Sequence, residues 1–257
     1  MSDFLIQKDE HTLTNEANFL IQELDRFRLM HSYKRCALAD ISQTMPNLNP
    51  VGSIEFVTDY LHHHFGFEKE NPIEIPKYLR TDEFLRRDYK IVPWDQLPTH
   101  GKWFIKDASE LKKFGQCVQA DFFVSDDLFV PNPSNDYSLT LSKDHLYQVS
   151  SPFNTQSEYR IYVMQREIEV IAHYDGDCTI FPDINLIKKA VGLINLNEKW
   201  LKSYTIDVMC NKKETALIEV HNFASVGLYS SLWGNSLPFA YRDGIDYLLN
   251  DNKEIER

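Results

Sequence analysis

Tyr204-Thr205-Ile206-Asp207-Val208-Met209-Cys210, then Asn211-Lys212-Lys213-Glu214, then Thr215-Ala216-Leu217-Ile218-Glu219-Val220-His221-Asn222: two apolar runs joined by a polar turn. The pattern predicts a β-hairpin in which Asp207 and Glu219 lie near each other on neighbouring strands. Both interrupt apolar runs. Like charges facing each other on adjacent strands weaken a sheet unless something positive sits between them, and a divalent cation is the natural candidate. Mg²⁺ prefers carboxylate oxygens and keeps places for phosphate oxygens, so Asp207, Glu219 and the amide oxygen of Asn222 form a sensible ligand set. His221 suits Mn²⁺ or Zn²⁺ better; it can also orient a carboxylate or contact a phosphate. The competing reading makes Asp207 and Glu219 ordinary solvent-facing strand residues.

Upstream, Ser157-Glu158-Tyr159-Arg160-Ile161-Tyr162-Val163-Met164 and Glu167-Ile168-Glu169-Val170-Ile171-Ala172-His173-Tyr174 read as a second hairpin. Alternation puts Glu158, Arg160 and Tyr162 on one face. Arg160 is then either a forked donor for a ligand phosphate or the partner of Glu158 in a surface pair. Earlier still, Lys102-Trp103-Phe104-Ile105-Lys106 is a short strand leading to a predicted helix around Lys112 and Lys113. Lys106, at the strand's end, can aim its ammonium group into a cleft, whereas solvated helix charges are the simpler reading of Lys112 and Lys113.

The rest of the chain surrounds these pieces. Helical spacing predicts a helix over Thr14–Met30 and a second over Ile54–Phe65, with Ser53 as N-cap and Gly66 as C-cap. Met45–Pro50 reads as a loop, and a third helix is expected over Asp82–Asp88. Beyond Pro93 and Pro98, strands are expected at Trp103–Lys106, Phe122–Val124, Leu146–Val149 and along the two hairpins, with helices at Asp183–Ile194 and Arg242–Leu249. Pro131–Asp136 reads as a surface loop. The predicted fold class is α+β: a mostly helical region over 1–100, then two α+β units over 101–150 and 151–257.

With 257 residues, 43% hydrophobic and 25% charged, the chain has the composition of an ordinary globular protein. A formal charge of −11 argues against a general nucleic-acid binder, which needs a cationic surplus. No apolar run is long enough to span a membrane, and the first residues lack the pattern of a secretion signal, so a cytoplasmic protein is expected. Cys36, Cys117, Cys178 and Cys210 stand far apart and read as reduced thiols. His62-His63-His64 points in different directions on its helix and cannot grip one metal. Ser157 and Ser225 sit in no nucleophile motif, and there is neither a GxxxxGK loop nor a GxGxxG turn. If phosphates bind here, side-chain cations and a metal must do what a glycine-rich backbone does elsewhere.

Taken in order, Phe104-Ile105-Lys106, Ser157-Glu158-Tyr159-Arg160 and Ile218-Glu219-Val220-His221-Asn222-Phe223-Ala224-Ser225-Val226-Gly227-Leu228-Tyr229 resemble the ATP-grasp superfamily. Within it they resemble the clade named for one arginine and two lysines, which is related to a eukaryotic cell-division-cycle family of assembly factors. The resemblance runs from Gly101 to Asn250. It implies an ATP-grasp fold, two α+β subdomains closing on ATP, behind the helical N-terminal region. It implies that Lys106 and Arg160 serve the ATP phosphates and the catalysis, with Lys113 and Glu158 in the same region. Asp207 and Glu219 would hold Mg²⁺, or Mn²⁺, with Asn222 or His221 beside them. Many members carry Glu-x-Asn, whereas this chain has Glu219-Val220-His221-Asn222. Adenine would sit by Gln148-Val149-Ser150-Ser151-Pro152. The implied reaction is ATP-dependent ligation of a carboxylate to an amine through an acylphosphate, with a protein or peptide among the candidate substrates and neither nucleic acid nor membrane as partner. The alternatives are an ATP-binding assembly factor that meets its protein partner through residues 1–100, and a fold that persists without catalysis.

Overall fold

The computed structural model describes residues 3–8, 14–27, 32–67, 75–109, 115–119, 142–230 and 236–255. Lys112, Lys113, Phe122–Val124 and Pro131–Asp136 lie outside them, as does the Cys117 side chain.

The first hundred residues are not mostly helical. Strands β1 (Asp3–Gln7), β2 (Tyr33–Cys36) and β3 (Leu48–Val51) form a parallel sheet in the order β2-β1-β3. Helix α1 (Asn15–Phe27) makes the crossover that a parallel β1–β2 pair requires. The Met45–Pro50 segment, expected as a loop, contributes much of β3, and Pro50 is tolerated because β3 is an edge strand. These strands are four or five residues long and carry no alternating pattern, so period alone does not reveal them. Helix α2 (Ile54–Phe65) begins and ends where the caps predict: Ser53 Oγ accepts from Phe56 N at 3.2 Å, and Gly66 takes the left-handed conformation at φ 68°.

Helix α3 (Asp82–Leu85) is a single turn stopped by Arg86 at φ 51°. It leads into the second sheet, ordered β4-β7-β5-β6, built from β4 (Tyr89–Pro93), β5 (Lys102–Asp107), β6 (Gly115–Gln119) and β7 (Leu146–Ser150). Its core is Leu97, Ile105, Tyr147 and Val149.

The third sheet is antiparallel, ordered β11-β10-β8-β9, from β8 (Ser157–Met164), β9 (Glu167–Gly176), β10 (Tyr204–Cys210) and β11 (Thr215–Asn222). Both hairpins expected from the sequence are present. Tyr159, Ile161, Val163, Ile206 and Val208 turn one way and pack against Leu186, Ile187, Ala190, Val191 and Ile194 of α4 (Ile184–Asn197). Each such side chain, fully buried, contributes about 1.5–3 kcal/mol. Asp183 caps α4, its Oδ1 accepting from Asn185 N at 2.8 Å. Helix α5 (Ser236–Ile255), longer than expected at both ends, crosses over the end of β11 at Gly244, where a methyl group would overlap the backbone of Phe223 and Ala224. Among the described residues no helix is long and apolar enough to cross a membrane, and Cys36, Cys178 and Cys210 are free thiols.

Candidate active site

Because α4 covers one face of the third sheet, strand alternation turns Glu158, Arg160, Asp207, Glu219 and His221 to the other. Register puts Arg160 opposite Asp207 and Asp207 opposite Glu219. The neighbouring carboxylates anticipated from the hairpin are there, and so is the positive charge they demand. Arg160 donates from Nε and Nη2 to the two Asp207 oxygens at 2.7 and 2.6 Å, and from Nη1 to the Gly227 carbonyl at 3.1 Å. Glu219 receives Lys106 Nζ on Oε2 at 2.7 Å and stands 2.8 Å from His221 Nε2 through Oε1. Arg160 thus pairs with Asp207, while Glu158 accepts from the Tyr174 hydroxyl at 2.8 Å.

These surroundings set the titrations. Burial pushes the Asp207 carboxyl up against the pull of Arg160. Burial would also raise Glu219, but His221 and Lys106 outweigh it and hold this carboxyl well below the usual range. Glu158 is pushed up by burial, against the Tyr174 hydrogen bond.

Asn222 faces the other way from Glu219. It is buried, and its Oδ1 accepts from Ala224 N at 2.8 Å. His221, two residues beyond Glu219, shares its face. Downstream, the Phe223–Ser230 segment is fastened over the sheet. The Tyr162 hydroxyl donates to Gly227 O at 2.8 Å and accepts from Tyr229 N at 2.9 Å. The Tyr229 ring lies 4.9 Å from the Arg160 guanidinium and 5.0 Å from the stacked Tyr174 ring.

Between the second and third sheets opens a cleft of about 320 Å³. Phe104, Phe153, Met209 and Ile218 make its apolar walls, and Ser150, Ser151 and Pro152 form the edge where the chain passes from one sheet to the other. Lys106, Gln148, Glu158 and Glu219 are its polar lining, joined by Arg87. Of the residues singled out from the sequence, Lys106, Gln148, Ser151, Glu158 and Glu219 line this cleft, and Arg160, Asp207 and His221 stand on the sheet face behind it. Val149 does not join them; alternation turns it into the core with Leu97, Ile105 and Tyr147. Lys113 lies outside the described residues. Sequence reading misses the four apolar walls and Arg87. The only signal for Arg87 is the Arg86-Arg87 doublet ahead of a short strand, a pattern usually met on solvated surfaces.

The family model described as an ATP-grasp domain, second family of the clade named for one arginine and two lysines, matches residues 84–234. No curated protein matches the chain. Among solved structures, a D-cycloserine synthetase aligns over 100% of this chain and 100% of that one at 10% identity, with a TM-score of 0.52, which shows a shared fold. A Chryseobacterium gregarium RiPP-associated ATP-grasp ligase, in complex with ADP and a leader and core peptide, aligns over 98% of this chain and 97% of its own at 11% identity and TM-score 0.48. A D-alanine–D-alanine ligase from Bacillus anthracis, complexed with ATP, aligns over the same shares, 98% and 97%, at 10% identity and TM-score 0.47.

Proposed function

Since the chain belongs to the ATP-grasp domains, in the second family of the clade named for one arginine and two lysines, we propose that it binds ATP with a divalent cation in the cleft between the second and third sheets and uses it to ligate a carboxylate to an amine. The observation that carries this reading is the Lys106–Glu219 contact of 2.7 Å, which brings a cation of one sheet and a carboxylate of the other together across the cleft. The apolar walls Phe104, Met209 and Ile218 suit a flat base, and the Ser150–Pro152 edge offers backbone groups to it.

Phosphoryl transfer asks a protein chiefly for positioning and for positive charge on the oxygens that gain negative charge. In the proposed reaction a substrate carboxylate oxygen attacks the γ-phosphorus as its bond to ADP breaks. The amine nitrogen then attacks the acyl carbon, phosphate leaves, and a proton leaves the nitrogen. Lys106 serves the phosphates. Arg160 can join it only when Asp207 gives up its fork.

Among the described residues no three His, Cys, Asp or Glu side chains already stand in a metal-holding group. Glu219 and His221 nevertheless fit a metal that arrives with the phosphates, since they share a face at 20% and 25% side-chain exposure. Asp207 can complete the set from the adjoining strand. A carboxylate and an imidazole suit Mn²⁺ as well as Mg²⁺, and we place His221 ahead of Asn222 because the Asn222 amide is turned to Ala224. Such an ion, when bound, neutralises charge on the phosphate oxygens.

Calorimetric titration tests the binding half: ATP should bind tightly only with Mg²⁺ or Mn²⁺ present, and a chain that ignores ATP under both metals would end the proposal. Release of ADP that requires both a carboxylate and an amine, with the acylphosphate trapped by hydroxylamine as a hydroxamate, tests the ligase half. ATP binding without such release, together with a copurifying protein, would move the reading to an assembly factor.

A further inference from the structure

Three cations stand at or behind the cleft, and two are already answered by carboxylates. Lys106 is held by Glu219, and Arg160 by both oxygens of Asp207. Arg87 is different. It lines the same cleft as Lys106 and Glu219, and Nη1 donates to the Leu85 carbonyl at 2.9 Å, but among the described residues no carboxylate pairs with it. One hydrogen bond to a carbonyl leaves most of the guanidinium's five N–H donors to other partners. Burial pushes this guanidinium down to about 10, against a weak opposite pull from Tyr89, so the charge is retained at neutral pH at a cost to the fold.

The placement of Arg87 is local in origin. Arg86, in the left-handed conformation, ends α3 and turns the chain toward β4. Asp88 then pairs with the cleft's edge: its N–H donates to Ser151 Oγ at 3.0 Å and its carbonyl accepts from Ser151 N at 3.2 Å. Arg87 is therefore fixed one residue from the Ser150–Pro152 edge, with its stem on a rigid turn and its charged end at the cavity wall.

We infer that Arg87 is a phosphate-binding residue of this cleft, its forked guanidinium pairing with the phosphate chain of the bound nucleotide. The inference rests on the ATP reading given above. A forked donor matches the oxyanion geometry of phosphate, and an incoming anion removes the cost of a buried, unpaired cation. A substrate carboxylate carries the same oxyanion chemistry, so the test must separate nucleotide phosphate from everything else.

Wild-type protein, Arg87→Met and Arg87→Lys are titrated with ATP, ADP and adenosine at saturating Mg²⁺, and each empty protein is melted. The expected result is wild-type binding of ATP and ADP that Arg87→Met weakens roughly 10- to 100-fold, adenosine affinity changed less than about twofold, and partial recovery in Arg87→Lys. Empty Arg87→Met should melt no lower than wild type, since an unpaired buried charge has been removed. Equal ATP affinity in wild type and Arg87→Met overturns this inference and leaves the ATP reading standing, as it would if Arg87 served a substrate carboxylate. Parallel loss of adenosine and ATP binding also overturns it, showing that Arg87 acts on the base or on the cleft's shape. Failure of wild type to bind ATP at all removes the reading on which the inference stands.

Discussion

The floor of the third sheet and the mouth of the cleft each set a cation on a carboxylate, and the two pairs are built differently. On the floor, Arg160 grips both oxygens of Asp207 within one sheet, with side chains only 11% and 4% exposed. At the mouth, Lys106 reaches one oxygen of Glu219 from another sheet, with 28% and 20% exposure. A bidentate, buried pair is rigid and hard to open, whereas a single contact to a flexible ammonium group near solvent exchanges readily. The difference separates holding from working. Asp207 and Arg160 keep β8, β10 and the Phe223–Ser230 segment together, and Lys106 and Glu219 can part to receive phosphates and metal.

The largest test of that division is Asp207→Ala, which strands the Arg160 guanidinium in the sheet. Breaking a buried pair from one side costs about 3–5 kcal/mol, to be read by urea unfolding. Adding Arg160→Met should restore part of the loss, because the second change removes the stranded charge. A cost near zero for Asp207→Ala would erase the distinction between the two pairs.

Glu219→Gln should cost less, about 1–3 kcal/mol at neutral pH, by leaving Lys106 and His221 without their shared carboxylate. It should also change the pH profile. Glu219 has a folded-state pKa below its unfolded value, so its contribution is present above roughly pH 4.3 and disappears as the pH falls below that toward the folded value. The variant should lose this acid limb. Glu158 has the opposite sign: its raised carboxyl favours folding most below roughly pH 4.3, and that advantage is lost as the pH rises through the folded value. Glu158→Gln should therefore remove a decline in stability with rising pH. Unfolding curves collected from about pH 3 to 7 distinguish the two.

The contrast also explains what can be read from the sequence. Asp207 and Glu219 are legible because a hairpin with a short polar turn brings them together locally, and alternation alone puts Glu158 and Arg160 on one face. Their partners are not legible. Lys106 meets Glu219 across 113 positions of sequence, a contact that only the packing of two sheets decides. Arg160 reads as a phosphate ligand because its alternation with Glu158 gives no sign that Asp207, on another strand, takes its fork. The choice between His221 and Asn222 needs the strand's actual facing. The parallel sheet of residues 3–51 is hidden by short strands and by Pro50, whose place at an edge is a tertiary fact. Helix α2, with both caps written at its ends, needs no tertiary information.

Lys106→Met probes the mouth directly and should leave stability within about 1 kcal/mol of wild type, since the pair is partly solvated, while Mg-ATP affinity falls in calorimetry. A large stability loss would mean that the contact holds the two sheets together. The smallest effect belongs to Tyr229, whose ring is 51% exposed and covers the Arg160 guanidinium at 4.9 Å. Tyr229→Leu keeps an apolar cover but removes the ring's electron-rich face, so it should cost about 0.5–1 kcal/mol in urea unfolding. Because Asp207 still neutralises Arg160, the loss should vanish in an Asp207→Ala background only if the guanidinium swings away when its carboxylate is gone. If the loss instead grows there, the ring is a second support of the clamp, and the floor is held from above as well as from within the sheet.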